Sequence, residues 1–134
     1  MKNVVVKKPW GFEYTIFKDG LSVRMLHINK GEETSFHCHM KKDVLMILLK
    51  GRARMNRSGN AIDYMEDVEL KPMFVRQIPK AIFHKTIALE DAIVIEIEST
   101  GDIHDLVRGE DKYNRKQGYE VKEIIAVDDI LEKL

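Results

Sequence analysis

The sequence is organised around Phe36-His37-Cys38-His39, which also marks a candidate site. Its surroundings predict extended backbone, and side chains along a strand alternate between the two faces. We therefore expect His37 and His39 on one face and Cys38 on the other. Because neutral imidazole binds Zn, Fe, Ni, Cu or Mn, a His-x-His pair on one strand is half of a metal site.

The composition limits the class of protein. The 134 residues suit a single domain over residues 1–134, with a core of about 9–100 and a C-terminal extension over 101–134. Lys+Arg and Asp+Glu number 22 each, and this neutral balance does not suggest a nucleic-acid or anionic-membrane partner. The longest apolar run, residues 44–49, is too short to span a membrane. One cysteine excludes an intrachain disulfide, and without an export signal we expect a cytoplasmic protein.

Short apolar runs separated by turn signals predict an all-β fold. Residues 12–17 and 21–28 flank Asp19-Gly20, a tight-turn signal, and are expected to form a hairpin. Residues 43–50 are apolar on both faces, as in a strand inside a sandwich or barrel. Turn signals recur about every eight to twelve residues, which is typical of a sandwich, barrel or jelly roll. Residues 128–134 are predicted to form a short C-terminal helix.

Two motifs resemble those of the cupin family. The first motif of that family is a glycine, five residues, His-x-His, a spacer, a glutamate and a later glycine, and Gly31, His37-Cys38-His39 and Gly51 match its other positions. The second is Pro-x-Gly, two residues and a histidine, which Pro79-Lys80-Ala81-Ile82-Phe83-His84 follows except at Ala81. The resemblance covers roughly residues 9–98. It implies a double-stranded β-helix, a jelly-roll barrel, with His37, His39 and His84 as metal ligands.

Two departures from those motifs matter. Ala81 replaces a glycine, which a turn accepts if φ of the alanine stays negative. The spacing from His37 to Gly51 puts Val44 at the glutamate position, whereas a shorter spacer would use Asp43. Neighbouring residues on a strand face opposite ways, so we expect Val44 inside the barrel and Asp43, a doubtful ligand, near the rim. The site would then hold three histidines with water or with a carboxylate from elsewhere.

A second resemblance concerns function. Residues 8–14, Lys-Pro-Trp-Gly-Phe-Glu-Tyr, followed by a glycine and His-x-His, are similar to the cupin domain of type II mannose-6-phosphate isomerases. This implies a small cupin that uses a divalent transition metal (Zn, Mn, Ni or Fe). It also implies an isomerase or epimerase of a sugar phosphate or nucleotide sugar, in carbohydrate or surface-polysaccharide metabolism. Two alternatives stay open: a non-catalytic module that binds a sugar or metabolite, which the missing glutamate favours, and an Fe(II) dioxygenase.

Further side chains have both a functional and a structural interpretation. Glu96, Glu98 and His27 are candidate general bases. The simpler interpretation places Glu96 and Glu98 on a solvated strand face, and makes His27 a hydrogen-bonded wall residue. Guanidinium groups bind phosphate in a bidentate manner. The candidates for phosphate recognition are Arg24, Arg76, Arg108 and Arg115.

We also expect a homodimer with a small-molecule carbohydrate ligand and neither a nucleic-acid nor a membrane partner. Small barrels hide their sheet edges by adding strands across a two-fold axis. The expected contributors are residues 4–6 and residues 124–134.

Overall fold

A computed structural model describes residues 2–18, 20–58, 65–99, 105–109 and 112–115. The helix predicted at residues 128–134 and the dimer segment at 124–134 lie outside these residues. No helix in the described ranges is long and apolar enough to cross a membrane. The strands are β1 (Lys2–Lys8), β2 (Gly11–Lys18), β3 (Leu21–Ile28), β4 (His37–Cys38), β5 (Val44–Lys50), β6 (Ala53–Ser58), β7 (Met65–Glu69), β8 (Val75–Ile78), β9 (His84–Ala88), β10 (Ala92–Ser99) and β11 (Val107–Arg108).

These strands form two antiparallel sheets, which confirms the all-β prediction. One sheet has the order β1-β2-β3-β10-β5-β8, and the other has the order β11-β4-β9-β6-β7. The predicted hairpin is present, because β2 pairs with β3 from Gly11↔Ile28 to Lys18↔Leu21. Strand β10 lies between β3 and β5 at the centre of the larger sheet. The two-layer arrangement places the metal-motif strand β4 in the smaller sheet, beside β9 and β11.

The interior between the sheets is filled by alternate residues of each strand. On β3, Leu26 and Ile28 are buried, and on β10 so are Ala92 and Val94. They belong to a single apolar cluster with side chains from both sheets. Its other members are Trp10, Val44, Met46, Leu48, Ala53, Met55, Leu70, Ile78 and Ala88. This cluster occupies only part of the interior, since the same strand faces continue into buried polar residues.

Two turns with positive φ hold strands at the edge of this interior. Gly51 has φ 82°, and a Cβ there would lie 2.0 Å from the carbonyl oxygen of Asp91, so only glycine fits. Ala81 has φ 63°, so the negative φ under which a turn accepts alanine in place of glycine is not found here. Its N–H donates to the carbonyl oxygen of His39 at 2.8 Å, which ties this left-handed turn to the metal motif. The conformation costs an alanine roughly 1–2 kcal/mol.

Candidate metal centre and its cavity

The fold brings three histidines together. His37 on β4 is the direct cross-strand partner of His84 on β9, with ring centroids 4.6 Å apart. His39 follows β4, and its ring lies 5.2 Å from that of His37 and 6.0 Å from that of His84. One potential ligand atom from each ring lies within 4.8 Å of the others. The three rings therefore form a compact group of nitrogen donors.

The hydrogen bonds of these rings fix which nitrogen faces the centre. Each Nδ1 is close to a backbone carbonyl oxygen: His37 to Ser35 at 2.7 Å, His39 to Asp105 at 2.6 Å and His84 to Ile82 at 3.2 Å. A carbonyl oxygen only accepts, so each Nδ1 carries the proton and each Nε2 keeps a lone pair. Nε2 of His39 and of His84 is buried, with no hydrogen-bond partner among the described residues. Such orphaned lone pairs, oriented by backbone carbonyls, fit a divalent transition metal.

Burial also keeps these rings in the form that binds metal. It lowers the pKa of His84 to about 4 and that of His39 below its ordinary value. The pKa of His37 is lowered by burial and by repulsion from the other two rings. All three imidazoles are therefore neutral near pH 7.

No carboxylate joins the three histidines from the position of the cupin glutamate. Val44 is 1% exposed and belongs to the apolar cluster. Asp43 is exposed, and its Oδ1 accepts a hydrogen bond from the N–H of Lys80 at 3.0 Å. Within the described ranges, the group of His, Cys, Asp and Glu side chains that could hold a metal consists of the three histidines. Such a set leaves coordination positions for water or substrate.

A cavity of about 430 Å³, including its space open to solvent, lies beside the histidines. His37, the least buried of the three, lines it. The charged side chains in its wall are Lys8, Arg24, Arg108, Arg115, Glu13 and Glu96. Three of the four arginines selected from the sequence therefore meet at one place. Arg76 does not, because it lies on β8 and pairs with Glu66 at 3.7 Å.

The interpretation of Glu96 and Glu98 as a solvated strand face is wrong. Their exposed fractions are 5% and 2%, because they continue the inward face of β10 beyond Ala92 and Val94. Glu96 lines the cavity. Burial, with repulsion from Glu98 as a further cause, raises the pKa of Glu96 to about 7. A carboxyl of this kind can both take up and release a proton near neutral pH.

Glu98 is held in the opposite state. Its Oε1 accepts from Ser22 Oγ at 3.1 Å and lies 2.9 Å from Arg24 and 3.0 Å from Lys42. Burial opposes ionisation, but the two cations outweigh it and hold the pKa of Glu98 below its ordinary value. The two carboxyl groups of β10 therefore differ: Glu98 is a fixed anion and Glu96 is a titrating acid.

The third candidate base, His27, lies apart from this cavity. It is on the outward face of β3, where its ring stacks on Phe12 with centroids 4.8 Å apart and planes 6° apart. Its Nδ1 is buried without a hydrogen-bond partner among the described residues, so stacking rather than a hydrogen bond to that atom holds the ring. The structure does not bring His27 together with Glu96.

Several supporting residues were not predicted from the sequence. The Asp105 carboxylate accepts from the N–H groups of Met40 and Lys41 at 3.0 and 2.9 Å, and its carbonyl orients His39. Lys42 and Lys8 were also missed. Asp105 lies 66 positions beyond His39, so only the pairing of β11 with β4 brings it close. A charge three residues after His39 was the one available signal for Lys42.

Solved structures of other proteins are similar in fold to this chain at low sequence identity. KdgF from Halomonas sp. is 21% identical with a TM-score of 0.61, over 71% of this chain and 84% of that chain. Oxalate decarboxylase from Bacillus subtilis, which has Mn(II) centres, is 16% identical with a TM-score of 0.68, over 78% of this chain and 29% of that one. CapF, solved with the inhibitor 3-isopropenyl-tropolone, is 16% identical with a TM-score of 0.62, over 80% and 34%.

The chain has the cupin fold. It spans about a third of the decarboxylase and CapF chains. No family model matches the sequence, and no curated protein matches it. The cupin barrel and the three-histidine group together confirm the prediction of a centre that can hold a divalent transition metal. The specific likeness to mannose-6-phosphate isomerases stays a prediction.

Proposed function

We propose that this cupin is a metal-dependent isomerase or epimerase of a sugar phosphate or nucleotide sugar, with His37, His39 and His84 as the ligands. One observation carries the proposal: His37 and the buried acid Glu96 line the same cavity. A base whose pKa lies near the working pH transfers protons most effectively. The cytoplasmic location, the single domain over residues 1–134 and the homodimer stay predictions.

Glu96 is the residue that moves the proton in this proposal. Its carboxylate form takes a proton from the carbon next to a carbonyl group. The C–H electron pair becomes the C=C bond of an enediolate, and the C=O π pair moves onto the carbonyl oxygen. For isomerisation, the resulting carboxylic acid returns the proton to the former carbonyl carbon, while the neighbouring hydroxyl group gives its proton to the former carbonyl oxygen. Epimerisation needs a proton donor on the opposite face of the same carbon, which water from the open side of the cavity would supply. A divalent cation held by the histidines would act as a Lewis acid toward the carbonyl oxygen. Glu98, fixed as an anion by Arg24 and Lys42, helps to keep the pKa of Glu96 high.

A non-catalytic sugar-binding module is the second candidate. The buried Val44 favours it, since a barrel that only binds a ligand has no need of a carboxylate at that position. The two candidates differ at Glu96. A base is essential to turnover but not to binding.

The test is metal analysis followed by turnover. Protein purified without added metal is analysed for metal, and then assayed with mannose 6-phosphate and fructose 6-phosphate. We expect bound Zn, Mn, Ni or Fe and interconversion of the sugars, lost by at least about a hundredfold in Glu96→Gln while metal content is unchanged. Binding without turnover in the metal-loaded protein would support the binding module. Iron with oxygen consumption would point to the dioxygenase.

A further inference from the structure

We infer that two copies of this chain pack face to face through the outer surface of the larger sheet, related by a two-fold axis. This surface, here called the outer face, consists of the outward residues of β2, β3, β10, β5 and β8 with the turn before β8. The cavity lies on the other side of the same sheet, where Arg24 and Glu96 line it. The inference is therefore independent of the proposed function. It also differs from the edge pairing expected of residues 4–6.

The register of the strands places apolar side chains in continuous rows across the outer face. One row crosses all five strands and consists of Tyr14, Met25, Ile95, Ile47 and Val75. The row two residues further along consists of Ile16, Val23, Ile97 and Leu45, and it ends at Gln77. Neither row contains a charged residue. The row on the other side consists of Phe12, His27 and Ile93, and it ends at Lys50.

Much of this apolar surface is open to solvent in the single chain. The outward residues of β3 and β10 are partly exposed, and exposure increases toward β8. Leu45 is 39% exposed, Val75 is 58% exposed, and Phe74 in the turn before β8 is 66% exposed. The N–H of Met73 donates to the carbonyl oxygen of Leu48 at 2.9 Å, which fixes this turn to β5. Soluble monomers rarely expose a contiguous apolar patch of more than a few hundred Å², so the outer face has the character of an interface.

The size of the outer face matches what a stable dimer needs. Neighbouring strands lie about 4.8 Å apart and each residue rises about 3.3 Å, so five strands over about six residues cover about 24 Å by 20 Å, or about 500 Å². Two such faces cover about 1,000 Å² before the relief of the side chains is counted, which is the area at which specific interfaces begin. Two twisted sheets pack face to face about 10 Å apart, with their strands about 30° from parallel. The shape of the outer face therefore suits another sheet.

The chemistry of the outer face selects a second copy of this chain as its occupant. Because its two uncharged rows offer no ion pair, the face gains most free energy by packing against another apolar surface. The smaller sheet does not present such a surface at β6 and β7, where exposed ion pairs join Arg52 to Glu69 and Arg54 to Asp67. An uncharged apolar face is complementary to itself across a two-fold axis, where each copy contributes the same residues. The outer face of a second copy therefore meets the requirement in chemistry, shape and area.

The experiment measures the mass of the purified protein by sedimentation velocity and light scattering between about 1 and 100 µM. We expect twice the mass of one chain at about 10 µM. Val75→Lys and Leu45→Lys each bring one charge per copy into the apolar contact. Since an unpaired charge is costly to bury, each variant should raise the Kd of the dimer at least about tenfold.

Val107→Lys is the matched control, because Val107 is a similarly exposed apolar residue on β11 of the smaller sheet. Its dimer Kd should change less than about twofold. Val75 is the more exposed of the two test positions, so Val75→Lys keeps the test valid if Leu45→Lys fails to fold. A monomeric wild type at about 100 µM, a dimer that persists in Val75→Lys, or equal weakening in Val107→Lys would overturn the inference. Sugar turnover is a separate measurement, so none of these results bears on the proposed function.

Discussion

The interior of this barrel has two halves, built by the same strands with opposite chemistry. On β10, Ala92 and Val94 pack in the apolar cluster, whereas Glu96 and Glu98 on the same face are buried among charges. On β3 the change is parallel: Ile28 and Leu26 are apolar, and Arg24 and Ser22 are polar. Because β3 and β10 are direct neighbours, with Val94↔Leu26 and Glu96↔Arg24, the change occurs at one level of the barrel.

The difference separates stability from function. Burying hydrocarbon stabilises the fold by about 25 cal/mol per Å². Burying an ion pair is often neutral or unfavourable compared with apolar residues of similar volume. The buried charges of the polar half therefore add less to the free energy of unfolding than apolar residues of similar volume would add. Under the proposed function, Glu96 of this half transfers a proton, so substitutions in the two halves should affect different measurements.

His37→Ala should give the largest effect, in metal binding and in the turnover that depends on the metal. Removing one of three ligands should weaken metal affinity by more than the roughly 10–100-fold that follows loss of an outer-shell partner. Calorimetric titration with Zn²⁺ or Mn²⁺ and metal content after purification measure this. His27→Ala is the control, because His27 lies on the outward face, and it should keep stoichiometric metal. Normal metal content in His37→Ala would contradict the assignment of the centre.

Leu48→Ala makes the corresponding change in the apolar half. Leu48 is 1% exposed, and its truncation should lower the free energy of unfolding by about 2–5 kcal/mol because a cavity remains. Its neighbour Leu49, which faces the other way and is 42% exposed, is the matched control. Leu49→Ala should cost less than about 1 kcal/mol. Denaturant unfolding measures both, and equal losses would show that the two faces of β5 are wrongly assigned.

Glu96→Gln tests the polar half through the pH dependence of stability. The folded pKa of about 7 exceeds the ordinary 4.5, so the folded state gains stability from the proton below pH 4.5 and loses it as the pH rises through 7. Glutamine does not titrate. The difference in the free energy of unfolding between the variant and the wild type should therefore change by roughly 3 kcal/mol in favour of the variant as the pH rises from 4 to 8.

Comparing the two proteins at each pH cancels the contribution of the histidines. His84, with its lowered pKa, makes both proteins lose stability as the pH falls from 6.5 through about 4. Glu90→Gln, at an exposed turn, is the control, and its stability difference from the wild type should stay within about 0.5 kcal/mol across the range. A flat difference for Glu96→Gln as well would mean that this carboxyl group is solvated.

The site could be predicted where it depends on spacing along one strand. The His-x-His pattern placed two rings on one face, and the second motif supplied His84. The inward face of β10 could not be predicted in that way. Its outward residues Ile93, Ile95 and Ile97 are more apolar than Ala92, Val94, Glu96 and Glu98, so a rule based on hydrophobicity selects the wrong face.

The structure resolves this conflict through contacts that are distant in sequence. Glu98 is 76 positions from Ser22, with which it shares a hydrogen bond. Arg24 lies on the same strand as Ser22, and Lys42 comes from the segment between β4 and β5. These partners offset the free-energy cost of burying a carboxylate, but no local pattern in the sequence predicts them. The cavity wall has the same character, since its four cations belong to four segments of the chain.

Ala81→Gly should give the smallest effect, at the turn that leads into the polar half. Alanine at φ 63° costs roughly 1–2 kcal/mol, and glycine removes this cost while adding about 0.5–1 kcal/mol of unfolded-state entropy. The net gain in the free energy of unfolding should therefore be at most about 1.5 kcal/mol, with metal affinity unchanged because the N–H bond to His39 is kept. Ala88→Gly, in the extended part of β9, has no such strain to relieve and should lose stability. If both variants lose stability equally, the assignment of a left-handed turn at Ala81 is wrong. The hydrogen bond from the N–H of Ala81 to the carbonyl oxygen of His39 would then be in doubt as well.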